Sequence, residues 1–313
     1  MTRVGLGTWA IGGGDWQFGW GPQDDIKSTE AIHRALDLGI NWIDTARVYG
    51  LGHAEEVVGK AIAGRRDDIF LATKCSRWWD SDGKIFSKLD AASVRSECES
   101  SLRRLNVEVI DLYQIHWPRP NDQIEEGWGA IAELIDEGKV RYGGVSNFNL
   151  EELKRAQAVH PVASLQPPYN MMRRDVESEL LPFCADNEIG VVAYSPMMSG
   201  LLTGKYDVGA VENLTERDWR RNSPHFQEPQ LSINAELIVR LKPIAEQNNL
   251  TLSQLAIAWV LRRPEVTSAI VGARRADQID ETAAAGDVDL PPEDVNEISD
   301  LLVWREAALS AAA

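Results

Sequence analysis

The chain has 313 residues, is 44% hydrophobic and 26% charged, and carries a formal net charge of −16. That is a globular composition; it offers no basic face for nucleic acid, and no apolar run approaches the ~18 residues of a membrane span. Cys75, Cys98 and Cys184 are too scattered for a zinc or redox motif, and they suit reduced thiols in a cytoplasmic protein. The N-terminus lacks the apolar core of a secretion signal.

In chain order, a first apolar run at 4–8 reads as a strand. A junction then recurs: "ALDLGINWID" (35–44), "LIDEGKVRYGGV" (134–145) and "ADNEIGVVAY" (185–194) each join an amphipathic stretch to a β-prone run through a glycine. Glycine there suits the left-handed position that ends many helices. On this key, strands are expected at 4–8, 40–44, 69–73, 110–115, 140–145, 162–166, 190–194 and 268–271. Helical spacing lies between them, as in Val94, Cys98, Leu102 and Leu105, and in Trp128, Ile131, Leu134 and Ile135. Short apolar strands alternating with helices predict a (β/α)8 TIM barrel, one domain over 1–313, rather than an open sheet. The longest connection, 196–267, holds a polar loop and the patterns "SINAELIVRLKPIAEQ" and "TLSQLAIAWVLRR"; a loop of that length is expected to be functional.

In such a barrel, chemistry gathers where strands end. The expected strands stop at Asp44, Lys74, His116, Ser146-Asn147, Gln166, Tyr194-Ser195 and Gly272, the last leading to Arg274 and Arg275. Tyr49 follows Asp44 by five residues. A free phenol, with a pKa near ~10, is a poor acid or base at neutral pH. A lysine ammonium ~4 Å away would favour the phenolate by about 4 kcal/mol at an effective dielectric of ~20, roughly three pK units. The aspartate would aim the lysine, and the histidine would hydrogen-bond a carbonyl oxygen. Such a set protonates an oxygen while something else attacks the carbon. With no nucleophile or metal cluster evident, a cofactor hydride is the natural partner.

The stretches "GLGTWAIGG" (5–13), "GINWIDTARVYG" (39–50), "LATK" (71–74), "DLYQIHWP" (111–118), "GKVRYGGVSNF" (138–148), "LQPPYN" (165–170), "VVAYSPMMSGLLTGKY" (191–206) and "VGARRADQIDE" (271–281) together resemble the aldo-keto reductases over almost the whole chain. The details are most similar to bacterial glycerol and sugar-carbonyl reductases. The resemblance implies NAD(P)H-dependent interconversion of a small carbonyl substrate and an alcohol, with Tyr49 as general acid/base, Asp44 and Lys74 assisting, and His116 orienting the carbonyl. It places Ser146, Asn147 and Gln166 on the nicotinamide carboxamide and Tyr194 under the ring. Thr8 and Trp9 would meet the cofactor at the first strand. Ser195, Pro196, Met197, Ser199, Gly200, Leu201 and Lys205 would lie over the pyrophosphate, with Arg220 and Arg221 of "DWRRNSPHFQ" closing on it. Gly272, Arg274, Gln278 and Glu281 would form the adenosine end.

Three departures stand out. The N-terminal hairpin that often plugs such barrels looks absent or cut away, the family's frequent Glu-Asn pair reads Glu281-Thr282, and Gly272 stands where one branch has lysine. A 2′-phosphate would then rest on Arg274 or Arg275, which favours NADPH while leaving NADH possible. No G-x-G-x-x-G motif supports a Rossmann fold. Trp20, Trp78 and Trp117, with Trp16 and Trp79, are expected in loops near the rim, walling a substrate pocket. Arg47 either pairs with acidic surface groups or enters the pocket to recruit an anionic substrate. Two other functions fit the same residues: a nucleotide-sensing subunit like the potassium-channel β subunits, and a barrel isomerase or lyase without nicotinamide.

Overall fold

Eight short strands close into one parallel barrel, in the order β1-β10-β9-β8-β7-β6-β3-β2. They are β1 (Val4–Gly7), β2 (Trp42–Asp44), β3 (Phe70–Cys75), β6 (Ile110–Ile115), β7 (Val140–Ser146), β8 (Ser164–Gln166), β9 (Gly190–Ala193) and β10 (Val266–Gly272); a hairpin of β4 (Arg77–Trp79) and β5 (Ile85–Ser87) stands outside the barrel. The structure is a computed structural model describing residues 1–206, 208–215 and 218–312, with Val208 described by its backbone alone. The helices are α1 (Asp25–Asp37), α2 (His53–Ala61), α3 (Ala91–Leu105), α4 (Ile124–Asp136), α5 (Leu150–Val159), α6 (Leu180–Asp186), α7 (Val208–Glu212), α8 (Gln230–Gln247), α9 (Leu252–Leu261), α10 (Ala276–Thr282) and α11 (Pro292–Ala312).

All eight expected strands are present, the 110–115 strand with both ends as expected and the others with an end displaced by at most two residues. The 40–44 run begins pairing only at Trp42, because the Ile40 amide is still bonded to Ala35 O at the end of α1 (3.0 Å). The hairpin was not expected, since Trp78 and Trp79 were assigned to a loop. Its turn is made by Asp80, whose Oδ1 accepts from the amides of Asp82 (3.0 Å) and Lys84 (2.9 Å). Each arm has three residues, too few to show alternation in sequence.

Side chains alternate across each strand, so one set faces the helices and the other fills the barrel. The outward set packs Leu6, Ile43, Leu71, Tyr113 and Val145 against helical residues such as Ile32, Val58, Cys98, Trp128 and Leu153, in one core. The inward set is layered. At the N-terminal end Trp42 is fully buried with Val192 and Ile270, and its Nε1 lies within bonding distance of Thr2 O and Ser268 Oγ (3.1 Å each). This indole occupies the space that Gly5 leaves open: a Cβ on Gly5 would fall 1.9 Å from Trp42. At the opposite end the inward positions turn polar, with Asp44, Lys74, Gln114 and Gln166 all buried. That switch positions the site.

Candidate active site

The polar layer is one hydrogen-bonded unit. Lys74 Nζ donates to Asp44 Oδ2 (2.6 Å) and to Thr45 O (2.9 Å). Asp44 Oδ1 accepts from Gln166 Nε2 (2.8 Å) and, more weakly, from Gln114 Nε2 (3.4 Å). Asp44 ends β2 as expected. Lys74 lies one residue inside β3 rather than at its end, which points it into the barrel. Gln114 was missed by sequence, although it stands two residues before His116 and so on the same face.

Tyr49 sits above this layer. Its loop is fixed by close backbone packing: a Cβ on Gly50, at φ +60°, would meet Gly12 O at 2.2 Å, and one on Gly12 would meet Gly50 N at 2.6 Å. Lys74 Nζ lies 5.3 Å from the phenol ring centroid. His116 meets Tyr49 edge-on at 5.8 Å, while Trp9 and Trp16 lie 6.3 and 6.2 Å away. Asp44, Tyr49, Lys74 and His116 are therefore brought together from four segments.

The electrostatics differ from the expectation that Lys74 pulls the phenol toward neutrality. Burial, then the charge of Asp44, then Tyr194 hold the Tyr49 phenol well above its ordinary value. The ammonium is committed to Asp44 and Thr45 instead, and burial lowers the lysine's own pKa against the pull of that aspartate. Burial, helped by Lys74 and Arg77, also drives His116 well below its ordinary value. Near neutral pH the rim therefore presents a protonated phenol and a neutral imidazole. The imidazole's Nδ1 is buried without a hydrogen-bond partner among the described residues.

Beside this pair lies a second polar chain. Tyr194 donates from its hydroxyl to Asn147 Oδ1 (2.8 Å), and Asn147 Nδ2 donates to His116 O (2.9 Å) and Ser146 Oγ (3.1 Å). Ser146 Oγ in turn donates to Gln166 O (2.8 Å). Past Tyr194, Ser195, Met198, Ser199 and Gly200 all take positive φ, from 49° to 92°. The stretch folds back on itself, with the Met198 amide on Ser195 O and the Gly200 amide on Met197 O (3.0 Å each), and backbone of this mixed handedness is a frequent setting for anions such as a pyrophosphate. Pro196 and Leu201 are buried and Met197 is partly buried, anchoring that stretch. Thr8 is buried, with Oγ1 on Asp44 O (3.1 Å). Together these residues fit a dinucleotide lying across the rim.

The outer residues behave differently. Arg220 is buried and makes two bonds to Asp218 (2.9 and 2.6 Å) and one to Tyr206 Oη (2.5 Å), with its Cζ 4.5 Å from the Trp20 ring. It clamps the long connection onto the loop after β1. There Trp219, which sequence did not single out, stacks on Trp9 at 5.4 Å. Arg221 is exposed and donates to Leu214 O (3.1 Å). Arg274 is turned inward: it donates to Gln23 Oε1 (2.7 Å), Trp20 O (3.3 Å) and Pro22 O. Arg275 stays exposed beside Asp277 (2.9 Å), and Lys205 lies 3.7 Å from Glu281. Gln278 Oε1 accepts the Arg274 amide (2.8 Å), and Gly272 is exposed at the end of β10.

Arg47 does not pair with surface acids. It is 8% exposed and pairs with buried Glu97 (3.2 Å) instead. Trp78 and Trp79 lie 4.4 and 4.2 Å from its Cζ. Trp117 remains 40% exposed.

The Aldo/keto reductase family model matches residues 3–303, and the chain belongs to that family. It is 40% identical to the aldo-keto reductase YhdN of Bacillus subtilis over 96% of this chain and 90% of the relative. It is 33% identical to an NADH-specific methylglyoxal reductase of Escherichia coli, over 94% and 92%. Among solved structures, a glycerol dehydrogenase from Gluconobacter oxydans superposes with a TM-score of 0.87 at 38% identity, covering 97% and 92% of the two chains. The protein is thus a nicotinamide-dependent carbonyl oxidoreductase on a (β/α)8 barrel. Among the described residues, no helix is long and apolar enough to cross a membrane.

Proposed function

We propose that the protein reduces small aldehydes or ketones with Tyr49 as the proton donor. The observation that carries this reading is the Tyr49 phenol edge-on to His116 at 5.8 Å, above the buried Asp44–Lys74 pair; burial, raising the phenol and lowering the imidazole, supports it. Bound NADPH, or NADH, supplies the hydride. His116 hydrogen-bonds the carbonyl oxygen, and Tyr49 gives its proton to that oxygen as negative charge develops. The fixed ammonium of Lys74 then faces the phenolate left behind, a charge placed before the reaction needs it. Trp9 and Trp16 keep water from the phenol. The complete set favours turnover over a purely nucleotide-sensing role. Arg275, the more open of the two arginines, would meet a 2′-phosphate; the NADH-specific relative keeps the second cofactor in play.

A pH profile tests the reading. A phenol raised above ~10 stays protonated throughout the neutral range, and a histidine held well below its ordinary value stays neutral there. The single-turnover rate of hydride transfer, at saturating substrate, should therefore be level between about pH 7 and 9. A rate falling with an apparent pKa near ~7 would mean that the phenol ionises there, and would refute this assignment.

Because Glu97 answers the charge of Arg47, the pocket should favour neutral carbonyl compounds. Arg47→Met should raise the Michaelis constants of a neutral aldehyde and its carboxylated analogue in the same proportion. Selective loss of the carboxylated one would instead mark Arg47 as an anion receptor.

A further inference from the structure

Arg47 stands between Asp44 and Tyr49, and its contacts lead away from the reacting atoms to one carboxylate. Its Nη1 donates to Glu97 Oε2 (3.2 Å) and to Arg77 O (3.2 Å), while its guanidinium lies against Trp78 and Trp79 of the hairpin. Glu97, on α3, is 0% exposed. Its other oxygen accepts from the Ser76 amide (3.1 Å) and from Trp78 Nε1 (2.8 Å). Ser76 holds a left-handed φ of 75°, and its Oγ donates to Trp117 O (3.0 Å) and accepts from Trp117 N (3.1 Å), directly after His116. One buried carboxylate thus ties together the Tyr49 loop, the tryptophan hairpin and the exit of β6.

Burying an ion pair brings little net stability, because desolvation offsets the attraction. The other buried residues of the same helix, Ser93, Val94, Cys98, Ser101, Leu102 and Leu105, are apolar or carry no charge. A charge retained here, bonded to three rim segments, points to a role in geometry. Resting on the reading of Tyr49 as proton donor, we propose that Glu97 is a positioning residue for carbonyl reduction. Through Arg47, Ser76 and Trp78 it holds the hairpin wall and the Tyr49 loop as one unit, and so sets how tightly a carbonyl substrate is held against the phenol.

This role has a signature that a merely space-filling residue lacks. Burial pushes the Glu97 carboxyl up to about 7, against the pull of Arg47 and the bonds from Ser76 and Trp78. The titratable groups facing it are Arg47 from the Tyr49 loop, the Cys75 thiol from β3 and the Tyr113 phenol from β6; burial holds both of the latter protonated. Tyr49 and His116 do not titrate near that pH. Ionised Glu97 grips its three donors by charge-assisted bonds, and protonation weakens that grip. Substrate binding, rather than the hydride step, should follow this group.

The test is the pH dependence of kcat/KM for a neutral aldehyde at saturating NADPH. The wild-type value should rise through a limb near pH 7. Glu97→Gln keeps the shape but not the charge. It should flatten the limb and raise KM about tenfold at pH 8, with kcat within about threefold and NADPH affinity unchanged. Arg47→Met breaks the unit from the other side: it should raise KM in the same way and move the limb above pH 7, because Glu97 loses the cation that holds its pKa down, which keeps the test open if Glu97→Gln fails to fold by circular dichroism. The double variant should be no worse than the poorer single one. A limb that persists in a folded Glu97→Gln enzyme, a limb left unmoved by Arg47→Met, or losses that multiply in the double variant, would overturn the proposal. Tyr49→Phe separates the two readings: a fully active Tyr49→Phe enzyme removes the proton donor, whereas an inactive one with an intact limb in Glu97→Gln removes only the positioning role.

Discussion

Lys74→Met is expected to destabilise the fold by about 3–5 kcal/mol, measured by urea unfolding, and to remove most of the activity. The side chain is fully enclosed and bonded to Asp44 at 2.6 Å. Methionine nearly matches its volume, so the loss is electrostatic: the buried Asp44 carboxylate would keep, among the described residues, only Gln166 and Gln114 as side-chain hydrogen-bond donors. The double variant Lys74→Met/Asp44→Leu removes both charges together, and replacing a whole buried pair by apolar groups is often close to neutral. It should recover much of the lost stability without recovering activity. If Lys74→Met unfolds like the wild type, the pair contributes nothing to the fold and its presence at the rim needs another reason.

The strands were legible because both faces of a parallel barrel are buried, so each strand reads as a compact apolar run ended by glycine or a polar residue. The catalytic constellation was legible for a related reason: parallel strands all end on one rim, so residues far apart in sequence had to meet there. Their electrostatics were not legible. The spacing of Asp44, Tyr49 and Lys74 says nothing about which partner the ammonium chooses. That is set by the depth of Asp44, 3% exposed, inside the barrel. Arg47 was similarly opaque, because Glu97 lies fifty residues away on α3. A signal did exist: Glu97 lies directly beside the apolar stripe of Val94, Cys98 and Leu102, and an acid on a buried helix face calls for a cation. Nothing local marks Trp219. Its stacking on Trp9 depends on how the long connection folds back across the barrel mouth.

Tyr49→Phe isolates the central claim. It removes one oxygen and leaves the ring stacked beside Trp9 and edge-on to His116. The polar layer below and the Ser146–Asn147–Tyr194 chain beside it involve no hydrogen bond from the phenol, so cofactor affinity should change little. Loss of a positioned general acid typically costs about 10²–10⁴-fold in rate. The decisive measurement is the single-turnover oxidation of enzyme-bound NADPH by a saturating neutral aldehyde, in wild type and Tyr49→Phe side by side. A rate lower by ~100-fold or more with NADPH affinity retained is the result predicted here; a rate within a few-fold of wild type would contradict Tyr49 as the proton donor.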